Sequence, residues 1–277
     1  MTSSSPSTTR MPVVFLGHGS PMNALENNVF SRSWRAMGRR IGKPKAILMV
    51  SAHWLSRGLA VDVNTQPETI HDFGAFPQAL FDVRYPAPGA PFLAQRVSEL
   101  LQPISVQGST QWGLDHGTWS VLRHMYPDAD VPVAQISISI KQPLRYHYQI
   151  GQLLRPLRDE GVLIVGSGNV VHNLPRMDWA RPDSGFDWAE RFQELVRSSI
   201  ERGEDERLID YPSLGMDALQ SIPSSDHYLP LLYVLGARDA SDDVPHFETP
   251  QCCYGSLSMM SIGLWPSAWN QNTALAA

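Results

Sequence analysis

Three short apolar runs, Val13–Leu16, Ala46–Val50 and Val162–Val165, each lead through small residues to a histidine. The joining segments are Gly17-His18, Ser51-Ala52-His53 and Gly166-Ser167-Gly168-Asn169-Val170-Val171-His172. Runs of four or five aliphatic, largely β-branched residues read as buried strands. Neighbouring strands that end this way place their imidazoles on one rim of a sheet. In an open α/β sheet, ligands collect at that rim.

The rest of the chain agrees with such a sheet. Leu59–Val63 and Val131–Ile140 read as further strands, and a last one is expected near Ser256–Gly263. Between strands, Phe92–Leu101, Leu144–Arg158, Trp188–Arg202 and Tyr228–Leu235 carry apolar residues at helical spacing. The alternation predicts an α/β fold, a single domain with a central mixed β-sheet flanked by helices on both faces. With 277 residues, 43% hydrophobic and 18% charged, the chain suits one large core. The domain is expected over residues 11–265. Residues 1–10, MTSSSPSTTR, read as a disordered tail and 266–277 as a C-terminal tail.

A fourth histidine stands in Ser225-Asp226-His227-Tyr228-Leu229-Pro230, at the expected first turn of a helix running to Gly236, with Asp226 or Ser225 as its cap. A lone histidine after a strand is commonly a hydrogen-bonded loop residue. Four in this setting point instead to one shared metal, because core packing favours aliphatic side chains and imidazole is a ready metal ligand. The metal set is therefore His18, His53, His172 and His227. His116, in Asp115-His116-Gly117, is either an acid or base behind that set or part of a helix cap. His71, Phe73, Trp54 and Tyr228 are candidates for lining a substrate pocket, with a structural loop the competing reading of His71. His124, His147 and His246 lie among ordinary neighbours and read as surface or satisfied residues.

Other chemistries fall away. A net charge of −5 and a pI near 6.0, with Lys43, Lys45 and Lys141 the only lysines, leave no basic stripe for nucleic acid. Gly166-Ser167-Gly168 would need a glycine at position 171 to cradle a dinucleotide, and that residue is Val171. No GxSxG elbow, HExxH helix or CxxC pair is present. The adjacent Cys252 and Cys253 cannot staple distant segments, and no apolar run approaches the ~20 residues that cross a bilayer. A cytoplasmic protein, with no nucleic acid or membrane partner, is expected.

Taken together, Leu16-Gly17-His18-Gly19-Ser20-Pro21-Met22, Ser51-Ala52-His53-Trp54, Asn169-Val170-Val171-His172-Asn173 and His227-Tyr228-Leu229-Pro230 resemble the 4,5-DOPA extradiol dioxygenase family, nearest its enterobacterial member. Ile70-His71-Asp72-Phe73-Gly74, Tyr85-Pro86-Ala87-Pro88-Gly89 and Asp115-His116-Gly117 extend the likeness over nearly the whole chain. The resemblance implies a fold like the catalytic subunit of class III extradiol dioxygenases. It implies cleavage of a catechol such as L-DOPA between C4 and C5 to 4,5-seco-DOPA, with O2 as co-substrate. His18, His53 and His227 then resemble metal ligands. His172 is a further ligand or the catalytic acid and base, and His116 resembles the family's histidine behind the ligands. Related protocatechuate-type enzymes use two histidines and a glutamate, whereas His227 stands here with Asp226 beside it. One divalent metal per chain is expected, Fe(II) for oxygen chemistry, with Zn(II) equally suited to imidazole donors. A zinc-dependent hydrolase or non-redox metal-binding protein on the same fold is the alternative, and a monomer or small homo-oligomer the expected assembly.

Overall fold

A computed structural model describes residues 10–269. Its strands are β1 (Val13–Gly17), β2 (Ala46–Ser56), β3 (Leu59–Asp62), β4 (Val106–Ser109), β5 (Val133–Ser139), β6 (Val162–Gly168), β7 (Asp243–Glu248), β8 (Cys252–Cys253), β9 (Leu257–Ser258) and β10 (Ser261–Pro266). Eight form one mixed sheet in the order β4-β3-β5-β2-β6-β1-β10-β7, and β8 pairs with β9 as a separate ribbon. The central strands β5, β2, β6 and β1 are parallel, so their carboxyl ends share one edge.

The helices are α1 (Val29–Ile41), α2 (Gln78–Phe81), α3 (Pro91–Leu100), α4 (His116–Met125), α5 (Leu144–Leu154), α6 (Asp187–Arg202), α7 (Asp205–Ile209), α8 (Met216–Ser221) and α9 (Leu229–Ala237). Alternation along each central strand divides its side chains between two cores. Val13, Phe15, Leu48, Val50 and Ile164 meet α3, α5, α6 and α9 on one face. Val14, Leu16, Ile47, Met49 and Val165 meet α1 and α4 on the other. Both faces are therefore covered, which is why these strands read as continuous apolar runs. Helix α9 is buried along all 9 residues, consistent with its apolar composition on every side.

Several expectations need correction. Strand β2 runs beyond Val50 to Ser56, and its register against β5 shifts between Val50 and Leu55, so His53 sits inside a bulged strand. The helix expected over Leu144–Arg158 stops at Leu154, where Pro156 opens a 3-10 turn that ends at left-handed Gly161. The last strand starts at Ser261, later than expected, because Leu257 and Ser258 pair with the two cysteines. Edge strands β4 and β7, VQGS and DVPHFE, carry little apolar alternation and were not legible. Helix α1 also escaped notice, although Asn28 and Ser31 form a reciprocal capping box at its start.

The tail boundaries move as well. The Arg10 guanidinium pairs with Asp159 and Asp239. Pro266 belongs to β10, and Trp269 packs on Trp265 and donates to the Arg10 carbonyl at 2.9 Å. Residues 1–9 and 270–277 lie outside the described residues. Among the described residues, no helix is long and apolar enough to cross a membrane.

Candidate metal centre

The rim formed by β1, β2 and β6 brings His18, His53 and His227 together. One ring nitrogen of each lies within 4.8 Å of the other two. His18 follows β1 directly, and its main-chain N–H donates to the Gly168 carbonyl. His53 projects from the β2 bulge. His227 precedes α9, and its carbonyl accepts from Asn169 N–H beyond β6. Gly168 permits this approach, since a Cβ there would lie 2.1 Å from the His227 carbonyl oxygen. The Gly-Ser-Gly segment thus serves close packing of the His227 loop on β6.

Each of the three imidazoles has an oxygen near Nδ1, hydrogen-bonded in His18 and His227 and more distant in His53. His18 Nδ1 lies 2.9 Å from Ser167 Oγ, whose hydroxyl donates to the Gly117 carbonyl at 2.6 Å. With its own proton committed, the serine oxygen accepts, so His18 carries its proton on Nδ1. His227 Nδ1 lies 2.5 Å from the Asp226 carboxylate, and His53 Nδ1 lies 3.5 Å from Asp72. A carboxylate accepts only, so His227 is protonated on Nδ1, and the Asp72 carboxylate favours the same tautomer of His53 by charge, without a hydrogen bond. All three Nε2 lone pairs are left for a cation.

His18 Nε2 and His53 Nε2 stand 3.2 Å apart. Two lone pairs at that distance repel each other. A cation bonded at about 2.1 Å to two neighbouring imidazoles separates the nitrogens by roughly 3 Å, so the spacing fits a metal centre. Burial, and then the neighbouring imidazoles, hold the His18 and His53 pKa values well below the ordinary one, which keeps both rings neutral and ready to ligate.

Asp72 accepts from both the main-chain N–H and the Nδ1 of His116, at 2.9 and 3.0 Å. Burial raises the Asp72 pKa, but the His116 hydrogen bond and charge outweigh it and leave a carboxylate below its usual range. Burial acts the same way on Asp226, and the bond from His227 overcomes it. His116 is the first residue of α4, capped by Asp115 as the helix-cap reading expected, and its ring also lines the cavity. The His172 ring lies flat on His227, with centroids 3.4 Å apart and planes within 5°. Burial, then the His227 charge, push its pKa down to about 3. His172 is not part of the His18–His53–His227 triad.

A cavity of about 360 Å³ opens over these five histidines, walled by Phe73, Phe76, Met177, Trp179, Tyr254 and Leu257, with Ser20 and Pro21 at one side. Of the four substrate-lining candidates, only Phe73 reaches it. His71 stands behind Phe73, bonded to the Val83 carbonyl at 3.1 Å. Trp54 stacks on Trp112 with planes 5° apart, away from the cavity. Tyr228 is corrected most: it is 1% exposed, donates to the Leu208 carbonyl and packs on Tyr211 in the core. Nor does Asp226 or Ser225 cap α9 through a side chain; the Asp226 carboxylate is committed to His227. A larger groove of about 640 Å³ beside α6 and β7 contains no comparable histidine cluster.

Sequence reasoning missed Ser167 and Asp72 as orienting groups, though each lies inside a quoted motif. It also missed Met177, Trp179 and Tyr254, for which no motif offers a signal.

The model of the LigB family, described as the catalytic LigB subunit of aromatic ring-opening dioxygenase, matches residues 9–264. The chain is 49% identical over 260 residues to 4,5-DOPA dioxygenase extradiol of Escherichia coli K12, covering 92% of this chain and 95% of that one. It is 38% identical over 236 residues to the protein of the same name from Beta vulgaris, covering 80% and 85%. A crystal structure of an uncharacterized E. coli K12 protein superposes with a TM-score of 0.80 at 43% identity, covering 92% of this chain and all of that one. The chain belongs to the LigB family of aromatic ring-opening dioxygenases and is an enzyme of the extradiol ring-cleavage class.

Proposed function

We propose that this enzyme opens the ring of catechols such as L-DOPA between C4 and C5, giving 4,5-seco-DOPA with O2 as co-substrate, and that it depends on one divalent metal held by His18, His53 and His227. The observation that carries this reading is the convergence of one ring nitrogen from each of His18, His53 and His227 on the floor of an apolar cavity, with the Nδ1 atoms of His18 and His227 held by oxygens and that of His53 near Asp72. Fe(II) in this site supplies oxygen activation and acidifies the catechol hydroxyls, whereas Zn(II) supplies only the second.

The protein's own residues do the rest. Phe73 and Phe76 meet edge to face and receive the flat ring from one side. His172 is neutral at working pH and lines the cavity, where it would exchange a proton with a catechol hydroxyl once the bound metal has acidified that hydroxyl. His116 and Asp72 keep the His53 ring in place. The aromatic wall excludes water from the ring as it opens. The free, buried thiols of Cys252 and Cys253 support a reducing, cytoplasmic setting.

The test is oxygen uptake by protein reconstituted anaerobically with Fe(II), followed on addition of L-DOPA, with other catechols in parallel. Stoichiometric uptake with a yellow product is expected, lost in the Zn(II) form. Absence of uptake with every catechol overturns the reading and favours the hydrolase alternative.

A further inference from the structure

On the far side of the 3-10 turn Pro21–Ala24 lies a second cavity, of about 470 Å³. Ser20 and Pro21 line the catalytic cavity, while Ala24 and Leu25 line this one, so a single turn walls both. The second cavity gathers Arg35 from α1, Arg123 from α4 and Arg84 from the loop after α2.

These arginines differ from most others in the molecule. Arg10, Arg96, Arg145, Arg191, Arg197 and Arg238 each run into a carboxylate. Among the described residues, no carboxylate pairs with Arg35, Arg84 or Arg123. Arg84 is bonded to the Phe81 and Val83 carbonyls, and Arg35 approaches the His124 ring at 3.4 Å. Arg123 is half-buried. Glu26, the one acid in the lining, is exposed and engaged by Asn28. Three cations lining one concave site in a chain of net charge −5 form a local positive field there.

His124 adds no counter-charge. Its Nε2 donates to the Asn23 carbonyl at 2.8 Å, leaving Nδ1 to accept from Arg35. Asn23 in turn donates its side chain to the His18 carbonyl at 3.0 Å, so the basic cavity rests against the segment carrying a proposed metal ligand.

We propose that Arg35, Arg84 and Arg123 form a binding site for a small oxyanion, a phosphate or a carboxylate. The planar guanidinium forks suit either group, which would supply the anionic acceptor that these arginines do not find among the described residues.

The test is isothermal titration of the metal-loaded enzyme with inorganic phosphate and, separately, with malonate, at constant ionic strength. Arg123→Gln and Arg84→Gln are compared with wild type, and Arg57→Gln, an exposed arginine outside the cavity, serves as control. Saturable binding of at least one anion is expected, weakened about tenfold or more in each cavity variant and unchanged in the control. The stronger of the two anions identifies phosphate or carboxylate as the natural ligand group. Absence of saturable binding by both anions overturns the proposal. So does binding that persists in folded Arg123→Gln and Arg84→Gln protein, which would place the anion elsewhere, including on the metal.

Discussion

The two ends of β1 hold polar groups of similar burial in opposite states. Before the strand, Arg158 is fully buried and every nitrogen of its guanidinium has an acceptor. Nε donates to the Met11 carbonyl at 2.7 Å, Nη1 to the Ala237 carbonyl and Asp243, and Nη2 to the other Asp243 oxygen. After the strand, His18 is equally buried, but only its Nδ1 is answered. Its Nε2 faces another lone pair. The first end is a closed charge pair that ties the start of β1 to the end of α9. The second is an open donor set that the fold itself does not complete. Burial without completion is costly, so it marks where a ligand belongs.

The sharpest way to break this contrast is to remove one group from each end. His18→Ala is expected to abolish stoichiometric metal binding and lower ring-cleavage activity by about 10³-fold or more, with little loss of thermal stability in the metal-free protein. Metal analysis and oxygen uptake measure the first two, calorimetry the third. Asp243→Ala should do the reverse. It leaves Arg158 buried and unpaired, at a cost of about 3–5 kcal/mol in denaturant unfolding, while metal content at low temperature stays at one per chain. If both variants lose metal and stability together, the two ends are not separate devices.

Smaller changes sharpen the contrast. Asp226→Asn keeps the shape of the group beside His227 but weakens the hold on its Nδ1 proton. Metal affinity or activity should fall about 10–100-fold, read by competition with a chelator. An unchanged affinity would mean that the lone pairs need no orienting oxygen.

The smallest effect concerns His147, which is buried between α5 and α9, far from the rim, with Nδ1 3.2 Å from the Tyr233 hydroxyl. Burial lowers its pKa to about 4, below the unfolded value near 6.5. Between those values the unfolded chain binds more protons, so the neutral ring's contribution is full above pH 6.5 and declines as pH falls toward 4. Between pH 7 and 5.5 the wild type should lose about 1 kcal/mol more than His147→Gln in urea unfolding of the metal-loaded protein. Equal losses would show that this histidine titrates alike in the folded and unfolded states.

The histidines were legible because an imidazole at the end of a buried strand interrupts an apolar pattern, and the family likeness then supplied roles. The groups that orient them were harder to read. Ser167 lies within a glycine-rich segment that imitates a dinucleotide loop, and Asp72 sits next to the more conspicuous His71. Their importance comes from partners far away in sequence, 149 positions in the case of Ser167 and His18. Tyr228 misled for the opposite reason: adjacency to His227 says nothing about direction, and the turn into α9 points the phenol into the core. Strands β4 and β7 were invisible because edge strands are held by main-chain pairing, which leaves little trace in side-chain pattern.

The central claim is that the open end of β1 is completed by a metal on three Nε2 atoms. Anomalous diffraction from crystals of the Fe(II) protein, collected on both sides of the iron absorption edge, tests it directly. The account predicts one peak per chain at about 2.1 Å from Nε2 of His18, His53 and His227, with the Asp72 and Asp226 carboxylates still turned toward the Nδ1 atoms. A peak bonded instead to His172 and Asp226, or no peak at this rim in protein that holds iron, would contradict it.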